Sequence, residues 1–260
     1  NKTSNTLLSL KIKNKSSNNL LISKFNKYLI TFISLLFIYL FYLSIPILYN
    51  KTWLQANIEN QLLKEFKINF SISSDLSYRI LPSPHFLIKD SKIFKEDGDK
   101  LISLAEIKTL KVFISQKNFF NKEKITVKYL KIDNANFLIS KNDLRLLKNT
   151  SNNKYSKKKI EVKKSNIFFK NNSDETIAII KISKAFLFQD DEKLLNLFNL
   201  KGEVFNIPFS FDFKKKFNFL KTEEINIIAK TLKLKIFDIY NSGEDIINSG
   251  NNMISILNAF

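Results

Sequence analysis

From residue 205 to 213 every second position is large and apolar: Phe205, Ile207, Phe209, Phe211 and Phe213 alternate with Asn206, Pro208, Ser210 and Asp212. Successive side chains of a β-strand point to opposite faces, so this period predicts a strand with one apolar and one wet face. All five apolar residues are then expected on the same surface. Pro208 cannot donate to a ladder, which predicts an edge strand or a bulge there. Ile225, Ile227 and Ala229 alternate in the same way, and Leu232, Leu234 and Ile236 continue in the opposite phase. That change of phase predicts a bulge or tight turn near Lys230 and Thr231.

A longer pattern recurs four times: apolar, any, apolar, two mostly polar residues, small, any, apolar. Its copies are residues 86–93 around Ser91, 130–137 around Ala135, 160–167 around Ser165 and 180–187 around Ala185. In each copy the apolar positions switch parity across the polar pair, which predicts strand, local bend, strand. The copies are unevenly spaced, so a stack of similar strands is expected rather than a strict solenoid.

Ahead of this β region the period is helical. Leu54, Ile58, Leu62 and Phe66 recur every fourth residue and predict an amphipathic helix over 51–66, packed on the core or, alternatively, on a membrane surface. Residues 28–50 contain no charged side chain and are mostly Leu, Ile, Phe and Tyr. About 20 helical residues cross a hydrocarbon core, whereas a signal peptide has a shorter apolar region followed by a small-residue cleavage site, which this sequence lacks. A transmembrane helix is therefore predicted over 28–50. Residues 1–27 carry Lys2, Lys11, Lys13, Lys15, Lys24 and Lys27 and no acid, while the charges after the span are mixed in sign. The positive side stays inside, so 1–27 is expected as a cytoplasmic tail and the rest of the chain as exported. Trp53 stands where an interfacial aromatic would.

Polar stretches punctuate the β region. Residues 149–159 are Lys-rich and poor in large apolar groups, and they follow a short helical candidate at 142–148. They are expected to form an exposed, protease-sensitive loop that divides the β region into 67–148 and 160–260. Residues 243–252 form a second weak stretch. The chain begins at Asn rather than Met, and a piece of a longer protein is the expectation.

Composition limits the chemistry. With 44% hydrophobic residues the chain can fill a core, and with only four Gly and four Pro its turns are left to Asn, Asp and Ser. The net charge of +18 first suggests nucleic acid. No nucleic-acid-binding motif accompanies it, and a Lys-, Asn-, Ile- and Phe-rich chain has the character of an AT-rich genome, so anionic headgroups are the expected counter-charge. There is no Cys and one histidine, His85, which removes disulfides, thiolate nucleophiles and any site of two imidazoles. No glycine-rich phosphate loop exists, and neither the acidic run at Asp190, Asp191 and Glu192 nor the pair Glu223 and Glu224 has metal-ligand spacing. His85 is expected to make a structural hydrogen bond rather than to act as a base. The expectation is a non-enzyme without cofactor or metal.

Residues 58–94 run from the amphipathic helix through a strand into Leu76-Ser-Tyr-Arg-Ile-Leu-Pro82-Ser-Pro84-His-Phe-Leu-Ile, and then an apolar–polar strand. With the anchor before it, this order resembles the N-terminal region of the AsmA family of bacterial envelope proteins, and Pro82 and Pro84 are its family-like motif. Leu200-Lys-Gly-Glu-Val-Phe-Asn-Ile-Pro208 is similar to a later family pattern, a strand with one Gly after a short helix. Gly, which often follows the first helix in such proteins, is replaced by Glu65-Phe66-Lys67. The resemblance implies a mainly β fold: an inner-membrane anchor and a periplasmic, curved, antiparallel repeating β-groove with a few short helices. It implies phospholipids as partners, guided toward the outer membrane, together with outer-membrane assembly components. On that reading the groove is lined by Phe205, Ile207, Phe209, Phe211, Phe213, Ile225, Ile227, Leu232, Leu234 and Ile236. The pattern alone equally allows a second layer over this face, and a tethered scaffold for outer-membrane proteins is the alternative function.

Overall fold

The computed structural model describes residues 24–97, 100–117, 119–140, 143, 154–171, 173, 175–217, 222–241 and 258–259. They belong to two units, Asn1–Leu48 and Tyr49–Phe260. In the first, the apolar run forms helix α1, Lys24–Leu48, whose last turn is 3-10. It is long and apolar enough to cross a membrane, being about 37 Å long at 1.5 Å per residue. Lys24 and Lys27 lie on the helix, and residues 1–23 lie outside the described residues.

The second unit opens with helix α2, Lys51–Phe66. The Asn50 side chain accepts from the Trp53 N–H at 3.0 Å, satisfying one of the unpaired donors of the first turn. Lys67 ends the helix in the left-handed region (φ 57°), the position at which a Gly is usual. Leu54, Ile58 and Leu62 are buried and Phe66 is half-buried, as the four-residue spacing predicts.

Among the described residues the rest is one mixed sheet of twelve strands. They are β1 (Asn69–Ser71), β2 (Leu76–Arg79), β3 (His85–Asp97), β4 (Lys100–Ile114), β5 (Val127–Ser140), β6 (Ile160–Lys170), β7 (Thr176–Asp190), β8 (Leu195–Val204), β9 (Ile207–Lys216), β10 (Thr222–Ala229), β11 (Leu234–Asn241) and β12 (Asn258–Ala259). Spatial order follows chain order, except that β1 and β2 share the outer edge of β3. Neighbours are antiparallel with one exception: β5 and β6 run parallel, Leu130 opposite Ile160 and Phe137 opposite Ile167. This corrects the expectation of a purely antiparallel sheet. A parallel pair needs a crossover connection, which falls between Ser140 and Ile160.

The recurring pattern is a crease. Asp90, Asn134 and Lys164 have left-handed backbone (φ 52°, 57° and 48°), each immediately before the small residue of its copy, Ser91, Ala135 or Ser165. The small residues are buried and the left-handed ones exposed. Registers on either side place Asp90, Lys108 of β4, Asn134, Lys164 and Ser183 of β7 in one line across five strands. Where the ladder between β5 and β6 opens at this line, Ser165 Oγ accepts from Ala135 N–H at 3.0 Å. The crease ends in a register shift of β7 against β8 between Ile182 and Lys184. Opposite it stands Gly202, where a Cβ would collide with the Lys181 carbonyl oxygen.

Left-handed positions were expected at Asn, Asp and Ser. Asp90, Asn134 and Asn206 fulfil this, but Lys67, Lys164, Leu194, Phe205 and Lys233 also adopt the conformation, and among the described residues no Ser does. The tight turn expected near Lys230 and Thr231 is the 3-10 turn Lys230–Leu232.

Residues 154–159 do not form a free loop. Tyr155 N–H donates to Asn196 Oδ1 at 2.9 Å, Gln189 N–H donates to Ser156 O at 2.8 Å, and Leu130 N–H donates to Lys159 O at 2.9 Å. Glu65 of α2 accepts from Ser156 Oγ and from Lys158 Nζ, both at 2.6 Å. The segment is a strap tying α2 to β5, β7 and β8, and β5 and β6 pair in one sheet across it. Residues 149–153 lie outside the described residues. So does the helical candidate 142–148, apart from Asp143, which accepts from Ser140 and pairs with Lys95. Residues 243–252 are likewise outside.

Candidate functional site

Residues opposite one another on neighbouring strands share a face. One such row crosses the sheet: Leu76, Ile88, Leu110, Ile132, Val162, Ala185, Leu200, Phe211, Ile227 and Ile236, from β2 to β11. A parallel row runs through Phe86, Val112, Leu130, Ile160, Leu187, Phe198, Phe213 and Ile225. The opposite face carries cross-strand ion pairs, among them Lys92–Glu106 (3.4 Å), Lys111–Asp133 (3.5 Å), Lys184–Glu161 (3.6 Å) and Lys181–Glu203 (2.6 Å). One face is apolar from β2 to β11, and the other carries these ion pairs together with the stacked His85, Phe113 and Tyr129.

The cover on the apolar face is uneven. α2 lies against β1 and β5. Its polar side chains satisfy backbone at that side of the sheet: Gln55 donates to Ile72 O (2.7 Å), Glu59 accepts from Ile72 N–H (2.8 Å), and Gln61 donates to Ile125 O (2.6 Å) and accepts from Val127 N–H (3.2 Å). Phe86, Ile88, Leu110, Val112 and Leu130 are sealed from solvent. From β6 onward a small cluster of Ile182, Ala185 and Leu200 is buried, with Phe137, Val162, Ile167, Phe198, Phe209 and Phe211 partly buried against it.

The candidate residues divide accordingly. Ile207, Phe209, Phe211 and Phe213 lie on β9 and Ile225 and Ile227 on β10, all half-buried. Leu234 and Ile236 open β11 and are half-buried too, with Ile236 opposite Ile227. Phe205 and Leu232 are not on strands. Phe205 and Asn206, both with positive φ, are the two-residue turn between β8 and β9, and Phe205 is 73% exposed. Leu232 lies in the 3-10 turn and is exposed. A two-residue hairpin favours positive φ at both central positions, which here overrides the alternation that placed Phe205 with the others. β9 is also no edge strand, since it pairs with β8 and β10. Pro208 is tolerated because the pairing with β10 begins only at Ser210, beyond the proline. Before β8 stands the turn Asp191–Leu194 rather than a short helix.

One end of the apolar face closes on a polar row that the sequence pattern did not reveal: Gln189, Asn196, Lys215 and Glu223, opposite one another on β7 to β10 and all buried. Lys215 and Glu223 form an ion pair, and the strap lies over the row through Tyr155. Burial, with the charge of Glu223 added, pushes the Tyr155 hydroxyl above its ordinary range. Burial raises the Glu65 carboxyl, but the Lys158 and Ser156 bonds outweigh it and hold the group below its ordinary value. In the sequence Glu223 is only one of an adjacent pair of acids without metal-ligand spacing; the register brings it opposite Lys215.

His85 is buried, its ring Nδ1 lies 2.8 Å from Ser83 O, and it stacks on Phe113. Burial lowers its proton affinity. Pro84 is buried beside it and accepts from Ile114 N–H through its carbonyl, while Pro82 is exposed. The Pro82–Pro84 segment thus fixes the start of β3. In comparisons with known proteins, no protein-family model and no curated protein matches the chain.

Proposed function

We propose that the chain is an envelope protein of the AsmA type. In this reading α1 anchors it in a bacterial inner membrane with the N-terminus cytoplasmic. The sheet lies in the periplasm, and its apolar face over β6–β11 shelters phospholipid acyl chains bound for the outer membrane. The observation that carries the reading is the apolar row itself, which continues from Val162 to Ile236 beyond the strands α2 lies against, with large side chains half-buried instead of sealed. Each CH₂ sheltered there would gain about 0.8 kcal/mol.

The test uses the full chain in membranes. A photo-crosslinking residue at Phe211 is expected to capture phospholipid, and one at Ser210, on the wet face, is not. Phe209→Asp is expected to abolish capture while the fold largely survives. Cooperative unfolding of that variant, with no lipid captured at Phe211 in the parent, would mean a covered core and overturn the conduit.

The alternative is a tethered scaffold that holds outer-membrane proteins by strand addition, and the β11 edge favours it. Among the described residues the pairing of β11 with β12 stops at Lys235, and Phe237 and Ile239 further along are exposed. A crosslinker at Phe237 that captures protein, with none of the lipid capture above, would select this reading.

A further inference from the structure

The end of the sheet at which β3 begins and β4 stops carries large apolar side chains outside the core. Arg79 pairs with His85 and His85 with Phe113, so residues 80–84 and 115–126 leave the sheet at the same end. Their bases are fixed by Ile114 N–H to Pro84 O (3.1 Å) and Ser115 N–H to Thr126 O (2.9 Å). On these two loops Leu81 is 80% exposed and Phe120 79% exposed. The second loop is held in place: Phe119 is fully buried, its carbonyl accepts from the Tyr49 hydroxyl, and Asn121 Oδ1 accepts from Glu123 N–H at 3.1 Å. A fixed loop therefore presents Phe120 outward.

The two loops and the residues next to them in the chain or fold carry cations. Lys51, Arg79, Lys117, Lys122 and Lys124 are all exposed. Lys122 Nζ stands 5.2 Å from the centre of the Trp53 ring, and Tyr49 meets the same ring edge-on at 6.1 Å. The two loops carry one carboxylate in their sequence, Glu123. Apolar tips within a basic rim, with Trp and Tyr beside them, match the boundary between acyl chains and anionic headgroups.

We infer that this end of the β unit is a membrane-binding surface, with Phe120 and Leu81 entering the lipid boundary and the basic rim meeting anionic headgroups. The occupant is a lipid surface, because charge and apolarity occur together and because Lys51 follows Leu48, the last residue of α1, by three positions. The inference rests on reading α1 as a membrane span.

Trp53 is the only tryptophan, so a single-tryptophan probe can be moved to the loop. The full chain carrying Trp53→Phe and Phe120→Trp would be reconstituted in phosphatidylcholine vesicles containing phosphatidylglycerol and brominated lipid. Its emission is expected to shift to the blue and to be quenched several-fold more than that of a Trp53→Phe, Leu101→Trp control. Leu101 is 63% exposed at the other end of β4. Omitting phosphatidylglycerol, or replacing Lys117, Lys122 and Lys124 with Gln, is expected to reduce the quenching. Solvent-like emission at position 120, or quenching equal to the Leu101→Trp control, would overturn the surface. Whether α1 is inserted is read separately by alkaline carbonate extraction. Release of the chain into the supernatant would overturn the span and the inference with it.

Discussion

The strands β3–β5 and the strands β6–β11 carry the same alternation on the same face, yet the first group is sealed and the second only in part. Leu110 and Leu130 are wholly buried, whereas Phe198, Phe213 and Ile227 are half-buried. The strands themselves do not differ enough to explain this. α2 lies at the first group's side of the sheet, against β1 and β5, with its apolar side buried and Gln55, Glu59 and Gln61 bonded to backbone there. Alternation decides which face of a strand is apolar; a separate element decides whether that face is dry.

The largest expected effect separates the two groups by stability. Leu110→Ala should cost about 2–5 kcal/mol by leaving a cavity in a sealed site. Ile227→Ala should cost about 1 kcal/mol, since only part of its surface is withdrawn from water. Denaturant unfolding of both variants measures the contrast, and equal losses would mean that β10 is sealed as well. Next in size is the place where the crease ends. Gly202→Ala should cost about 1–3 kcal/mol, because the added methyl must push the Lys181 carbonyl away. A neutral outcome would show that β7 and β8 separate freely there.

The smallest effect concerns the strap that joins the two groups. Glu65→Gln weakens its bonds to Ser156 and Lys158 and should cost about 1 kcal/mol. Trypsin should then cut faster within Lys154–Lys159 than in the parent. The Glu65 carboxyl is held below its ordinary value of 4.5, so its contribution is full above that value and is lost as pH falls through the lowered one. In the parent, cleavage by an acid-active protease should therefore rise only below that range, and Glu65→Gln should remove the pH dependence.

Much of this was legible in the chain. Leu54, Ile58 and Leu62 identified the buried side of α2, the parity switches located the crease at Ser91, Ala135 and Ser165, and the phase change at Ala229 located a turn. These signals are local, since period and parity are properties of neighbouring residues. What was not legible depends on partners distant in sequence. Residues 154–159 read as solvent-exposed because they hold few apolar groups, but their bonds go to Glu65, Gln189 and Asn196. The parallel pairing of β5 and β6 leaves no mark on either strand, and Phe205 fits the alternation that the hairpin turn interrupts. The candidate face was legible as a set of positions on β9 and β10; its uneven cover was not.

The crease also bears on mispairing. Strands built from nearly interchangeable Ile, Leu and Phe could slide by two residues and still show an apolar face to the same side, so alternation alone guards only against slips of one. A slide of β5 against β6 by two would part the left-handed Asn134 from the left-handed Lys164 and carry Ala135 away from the Ser165 hydroxyl that completes its ladder. The aligned left-handed residues of β5 and β6 thus act as a keyway, admitting that pair at one offset. In β8–β11, beyond the end of the crease, that safeguard passes to the short hairpin turns at Phe205–Asn206 and Lys230–Leu232.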